Sequence, residues 1–97
     1  MPSARSPEPG PPPLPGGDVW LESPSGEAWS SVVIGVEGDR IRLSPPRRGG
    51  RRVALPAGRP LELSYRVSDV PCAAPVVLEP PTGDELVAVR DGPPVRL

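Results

Sequence analysis

The chain has 97 residues, enough for one domain that buries only about 60% of the surface its unfolded form exposes, so its core is thin. With 36% apolar residues and no Phe, that core must be built from Val, Leu and Ile, with Trp20, Trp29 and Tyr65 as its large anchors. A net charge of −1 denies it the basic excess that releases counterions from phosphates, so neither nucleic acid nor an anionic membrane is an expected partner.

Residues 1–17 read MPSARSPEPGPPPLPGG, with Leu14 as the one sizeable apolar side chain. Nothing there offsets the entropy of ordering, so a disordered Pro/Gly-rich tail is expected. The run Pro11 to Pro15 favours polyproline II, which fits either a stiff solvated leader or a ligand for an aromatic groove.

From Asp18 the period changes to two. Val19–Glu22 reads as a first strand, stopped by Ser23-Pro24-Ser25-Gly26, whose Pro and Gly positions suit a type I turn. The second strand follows over Ala28–Val36, with Val32, Ile34 and Val36 on one face and Val33 and Gly35 on the other. Gly35 inside it predicts a bulge or bend. Glu37-Gly38-Asp39 turns into Arg40–Ser44, where Ile41 and Leu43 alternate with two arginines.

A loop from Pro45 to Gly50 separates this hairpin from a short strand at Arg52–Leu55. Pro56-Ala57-Gly58 then leads into Leu61–Val67, whose odd positions are all apolar. Ser68 to Pro75 begins as a turn, and Val76–Glu79 is the sixth strand. Pro80 to Asp84 breaks it, Glu85–Arg90 is the seventh, and Val95-Arg96-Leu97 opens a further segment. No helix of two turns survives this spacing of Pro and Gly. The expected fold is all-β: a small six- to seven-stranded antiparallel split barrel over residues 18–92, preceded by the tail at 1–17 and followed by the start of a linker or C-terminal extension at 93–97.

Catalytic chemistry has little to build on. Without His there is no Ser-His-Asp or Cys-His arrangement, and without Lys no Schiff base. Asp84 and Glu85 are adjacent and would face opposite ways in a strand, and Glu37 and Asp39 flank a turn. No phosphate loop is present, since Gly49-Gly50 precedes a strand. The chain is therefore read as a non-enzyme without cofactor or metal. Cys72, the single cysteine, excludes an internal disulfide and reads as a buried filler, which fits a reducing cytoplasm. No apolar run is long enough to span a membrane and no secretory signal is evident. The candidate interaction loop is Arg47, Arg48, Arg51 and Arg52 around a Gly pair, because guanidinium forks suit phosphates and planar bases. Its competing reading is a solvated turn, since no aromatic is interleaved in sequence to stack a base.

The order of features from Val19 to Val67 resembles the N-terminal (PilZN) domain of flagellar brake proteins of the YcgR type. Its pieces are Val19–Glu22, Gly26 to Trp29, Val32–Val36, Gly38-Asp39, Ile41 to Pro45, and Val53 to Gly58 followed by Leu61-Glu62-Leu63. The resemblance implies a split β-barrel paired with a PilZ domain, in a bacterial cyclic di-GMP receptor that slows flagellar rotation. It implies a PilZ-type domain or a flagellar motor or switch protein as partner, with cyclic di-GMP bound only together with the partner domain. In that family an Arg-x-x-x-Arg linker and an Asp/Asn-x-Ser-x-x-Gly motif hold the ligand. Arg48 with Arg52, and Arg47 with Arg51, match the first by spacing but lie mid-domain, and the second is missing, so the ligand role is not carried onto them. A standalone SH3-like or OB-like module, binding nucleic acid or a protein through residues 47–52, is the alternative.

Overall fold

A computed structural model describes residues 9–80 and 83–97. Nine strands form one antiparallel sheet: β1 (Asp18–Glu22), β2 (Ala28–Glu37), β3 (Arg40–Leu43), β4 (Arg47–Arg48), β5 (Arg51–Arg52), β6 (Pro60–Val67), β7 (Val70–Leu78), β8 (Leu86–Arg90) and β9 (Val95–Arg96). Six of them follow the order β1-β6-β7-β8-β3-β2, and β2 pairs back onto β1, so the sheet closes into a barrel. The β4–β5 hairpin hangs from β2, and β9 is added to β7.

Alternation fills the interior. Val19 and Leu21 of β1, Ile41 and Leu43 of β3, Leu61, Leu63 and Tyr65 of β6, and Leu86 and Ala88 of β8 all point inward and are buried. Cys72 is fully enclosed among them. Closure leaves few open ladder edges, which a small all-β domain must otherwise protect.

The partner strands decide which face of β2 turns inward, a choice that alternation alone leaves open. Trp29, Ser31 and Val33 face the core, whereas Val32 and Ile34 are 38% and 42% exposed. The pairing Leu21↔Trp29 and Val19↔Ser31 sets this phase, because cross-strand partners share a face. Ser31 tolerates burial because its hydroxyl donates to the Ser44 carbonyl at 2.8 Å. A register shift between Val33 and Gly35 supplies the expected bulge. A side chain at Gly35 would press to within 2.8 Å of the Arg42 guanidinium. Trp20 is likewise not a core anchor: with Val19 and Leu21 inside, period two puts it outside, 44% exposed.

Two further elements depart from expectation. The strand expected at Val76 begins at Val70, directly after a tight turn at Ser68-Asp69 whose φ angles are +50° and +65°. Pro71 and Pro75 fit inside β7 because their carbonyls accept from Leu97 and Asp91 on the side away from β6. In an antiparallel ladder a residue's N–H points the same way as its C=O, so neither proline takes a bond from the β6 pairing. The expected loop at Pro45 to Gly50 and strand at Arg52–Leu55 are instead a hairpin, β4–β5, turned by Gly49 and Gly50 at positive φ. Val53 to Leu55 is irregular, with Leu55 buried in the core.

The Pro-rich segment, expected as tail through Gly17, is fastened to the barrel from Pro9 onward, and its residues 1–8 lie outside the described residues. Pro9 bridges to Val95, and the Gly10 N–H donates to the Pro94 carbonyl at 2.9 Å. Tyr65 donates its hydroxyl to the Pro11 carbonyl at 2.6 Å, and Pro13 is buried. The Gly16 N–H donates to Val33 at 2.7 Å, and the Val33 N–H donates to Gly17 at 3.0 Å. Fixed φ angles lower the entropy that such a strap loses on docking. Burial, reinforced by Cys72 and opposed by Arg90, pushes the Tyr65 phenol up to about 12.

Two outcomes follow from this packing. Trp29→Ala should cost about 3–5 kcal/mol in urea unfolding, while Trp20→Ala should cost less than about 1 kcal/mol. Tyr65 is the only tyrosine, so phenolate absorbance reports it alone. Its midpoint should lie near 12 in the folded chain and near 10 in denaturant. The unfolded chain loses that proton first, so the contribution, about 2–3 kcal/mol, is intact below pH 10 and drains away between pH 10 and about 12.

Candidate interaction surface

The four sequence-predicted arginines sit together on β4–β5, with Arg47 opposite Arg52 and Arg48 opposite Arg51. Cross-strand partners share a face and successive residues alternate, so Arg47 and Arg52 point to one side and Arg48 and Arg51 to the other. Arg48 and Arg52 therefore diverge, as do Arg47 and Arg51, and neither Arg-x-x-x-Arg pair forms a single clamp.

Most of this charge has partners on the chain itself. Arg48 reaches Glu27 at 3.2 Å and Arg52 reaches Asp84 at 3.3 Å. Glu27 also receives Arg59 at 3.5 Å, whose guanidinium lies 5.3 Å from the centre of the Trp29 ring. Arg47 donates to the Gly50 carbonyl at 3.3 Å. Among the described residues only Arg51 of the four has no partner. Exposed pairs of this kind contribute little to stability, but they set a carboxylate against two of the four charges that the hairpin would offer to a polyanion.

The surface that the sequence reading missed is the outer face of β1 and β2. Trp20 pairs with Ser30, and Ser30 with Arg47, so one row runs Trp20, Ser30, Arg47 across three strands. Val32 sits diagonally from Trp20, opposite Asp18, and Ile34 follows it on β2. Trp20, Val32 and Ile34 together make an exposed apolar stripe where an antiparallel sheet ordinarily turns polar residues outward. The signal was present as an unbroken Val32-Val33-Ile34 run, which reads as apolar on both faces of its strand.

A concavity of about 590 Å³ lies over β1, β6, β7 and β9 and is walled by Pro60, Leu61, Ala73, Pro75, Val95 and Leu97. Glu22 and Glu62 stand directly opposite each other at its rim. Ser64 donates to Glu22 at 3.2 Å. Among the described residues no three His, Cys, Asp or Glu side chains converge to hold a metal ion, and no helix is long and apolar enough to cross a membrane.

In fluorescence anisotropy at physiological salt, a random single-stranded oligonucleotide should show no saturable binding below high micromolar concentrations. Replacing Arg48 and Arg52 with Ala should leave both that result and the unfolding midpoint nearly unchanged. No protein-family model matches the chain, and neither a curated protein nor a solved structure matches it, so the surface is read from its own residues.

Proposed function

We propose that the chain is a non-enzymatic regulatory barrel that works in the cytoplasm by docking on other proteins, as the N-terminal domain of a flagellar brake would. The observation that carries this reading is the stripe Trp20, Val32 and Ile34, exposed on a regular sheet face beside Arg47. Trp and Arg are the residues most enriched at the energetic centres of protein interfaces. The resemblance supports the reading in part: its pieces at Val19–Glu22, Val32–Val36 and Ile41 to Leu43 coincide with β1, β2 and β3, while its short strand at Val53 to Leu55 is irregular here. Its partner would be a PilZ-type domain or a component of the flagellar motor. The divergence of the two Arg pairs argues that cyclic di-GMP is not held tightly by this chain alone. The nucleic-acid alternative is weaker, because Arg48 and Arg52 are already paired with carboxylates.

Two titrations test the proposal. Calorimetry with cyclic di-GMP should give no saturable heat up to high micromolar concentration; saturable heat lost in R48A/R52A would make the barrel a nucleotide receptor instead. Addition of a purified PilZ-type domain should shift the Trp20 indole resonance and leave that of buried Trp29 in place. An unmoved Trp20 would remove this face from the docking role.

A further inference from the structure

The β1–β2 face is not only apolar but also unbalanced in charge. Arg40, Arg42 and Arg52 are held by Glu79, Glu85 and Asp84 of the same chain. Arg47, in the row with Trp20, has only the Gly50 carbonyl. On the opposite flank, Asp18 and Glu22 lie two residues either side of Trp20 on the same outward face, and among the described residues neither has an ion-pair partner. A cation and two anions without an ion pair thus border one apolar stripe, Glu22 accepting the Ser64 hydroxyl on its far side.

Their spacing is symmetric about β2. Trp20 and Arg47 lie one strand away from Ser30 on either side, each about 4.8 Å off in the sheet direction. We infer that this face pairs with the same face of a second copy about a two-fold axis running along β2. The rotation exchanges the flanks, so Arg47 of each copy lands on Trp20 of the other, between Asp18 and Glu22. Val32 and Ile34 lie next to the axis and pack on their own counterparts. Guanidinium on indole, bracketed by carboxylates, is a favourable arrangement when partly desolvated. An isologous contact of this kind closes at two copies, because the face is consumed by its own pairing.

The face is small, about 10 Å across three strands and about 20 Å along β2. The dimer should therefore be weak, with a dissociation constant on the order of 100 µM. This inference rests on the reading of the face as an interface and specifies a second copy as an occupant.

Sedimentation equilibrium of the chain from about 10 µM to about 1 mM tests it. The expected result is a reversible monomer–dimer equilibrium that Trp20→Ser, R47E and D18R/E22R each weaken at least about tenfold. All the substituted positions are exposed. An equimolar mixture of R47E and D18R/E22R should associate again, since each flank then meets opposite charge, and misfolded variants would not recover on mixing. A monomer throughout the range, a dimer indifferent to these changes, or a mixture that stays apart would overturn the inference. If the chain is monomeric while a PilZ-type domain still shifts Trp20, the dimer falls and the docking reading stands.

Discussion

Closure of the sheet through β1 is the constraint on which the other features depend. This five-residue strand is clasped by β2 on one side and β6 on the other, and its two pairings lock the inward phase of both neighbours. Once Val19 and Leu21 are inside, Leu63 and Tyr65 must follow on β6, and Trp29, Ser31 and Val33 on β2. A one-residue slip would exchange every interior side chain for an exterior one. Two hydroxyls are the local cost of that phase, Ser31 in the wall and Ser23 at the turn, and both are satisfied: Ser31 by Ser44, and Ser23 by the Glu27 N–H and the Ser25 hydroxyl.

The same phase explains why an apolar surface is left over. Trp20, Val32 and Ile34 are as hydrophobic as the residues inside, yet period two on β1 and β2 turns them outward once Val19, Leu21, Trp29 and Val33 face the core. Their exposure is a cost to solubility, which the docking proposed for this face would offset.

Much of the architecture was legible along the chain, and the exceptions share a cause. The hairpin β2–β3, the strand β6 and the bulge near Gly35 announce themselves locally, through turn residues and strict alternation. The buried face of β2 does not, because its Ser31 is less apolar than the outward Val32 and Ile34, and only the partner strand decides between them. Likewise β7 is hidden by Pro71 and Pro75, which are compatible with a strand only because their nitrogens face a side that is sparsely paired. The Arg hairpin reads as loop because a two-residue strand carries no period. The docking of Pro9 to Gly17 depends on Tyr65 and Val33, which are distant in sequence, and no local pattern encodes it. At the surface, sequence singled out Arg47 to Arg52, whereas tertiary pairing engages two of the four in ion pairs and puts Trp20 in one cross-strand row with Arg47, separated from it by Ser30.

The Pro9–Val95 bridge also bears on the order in which the fold comes apart. Val95 is itself held on β7, where it pairs with Ala73 and where Leu97 donates to the Pro71 carbonyl, so at this end the strap reaches the barrel only through an added strand. Loss of β9 would release the bridge and the Gly10–Pro94 bond together, whereas the Tyr65 tether to Pro11 and the bonds of Gly16 and Gly17 to Val33 run directly to strands of the closed barrel.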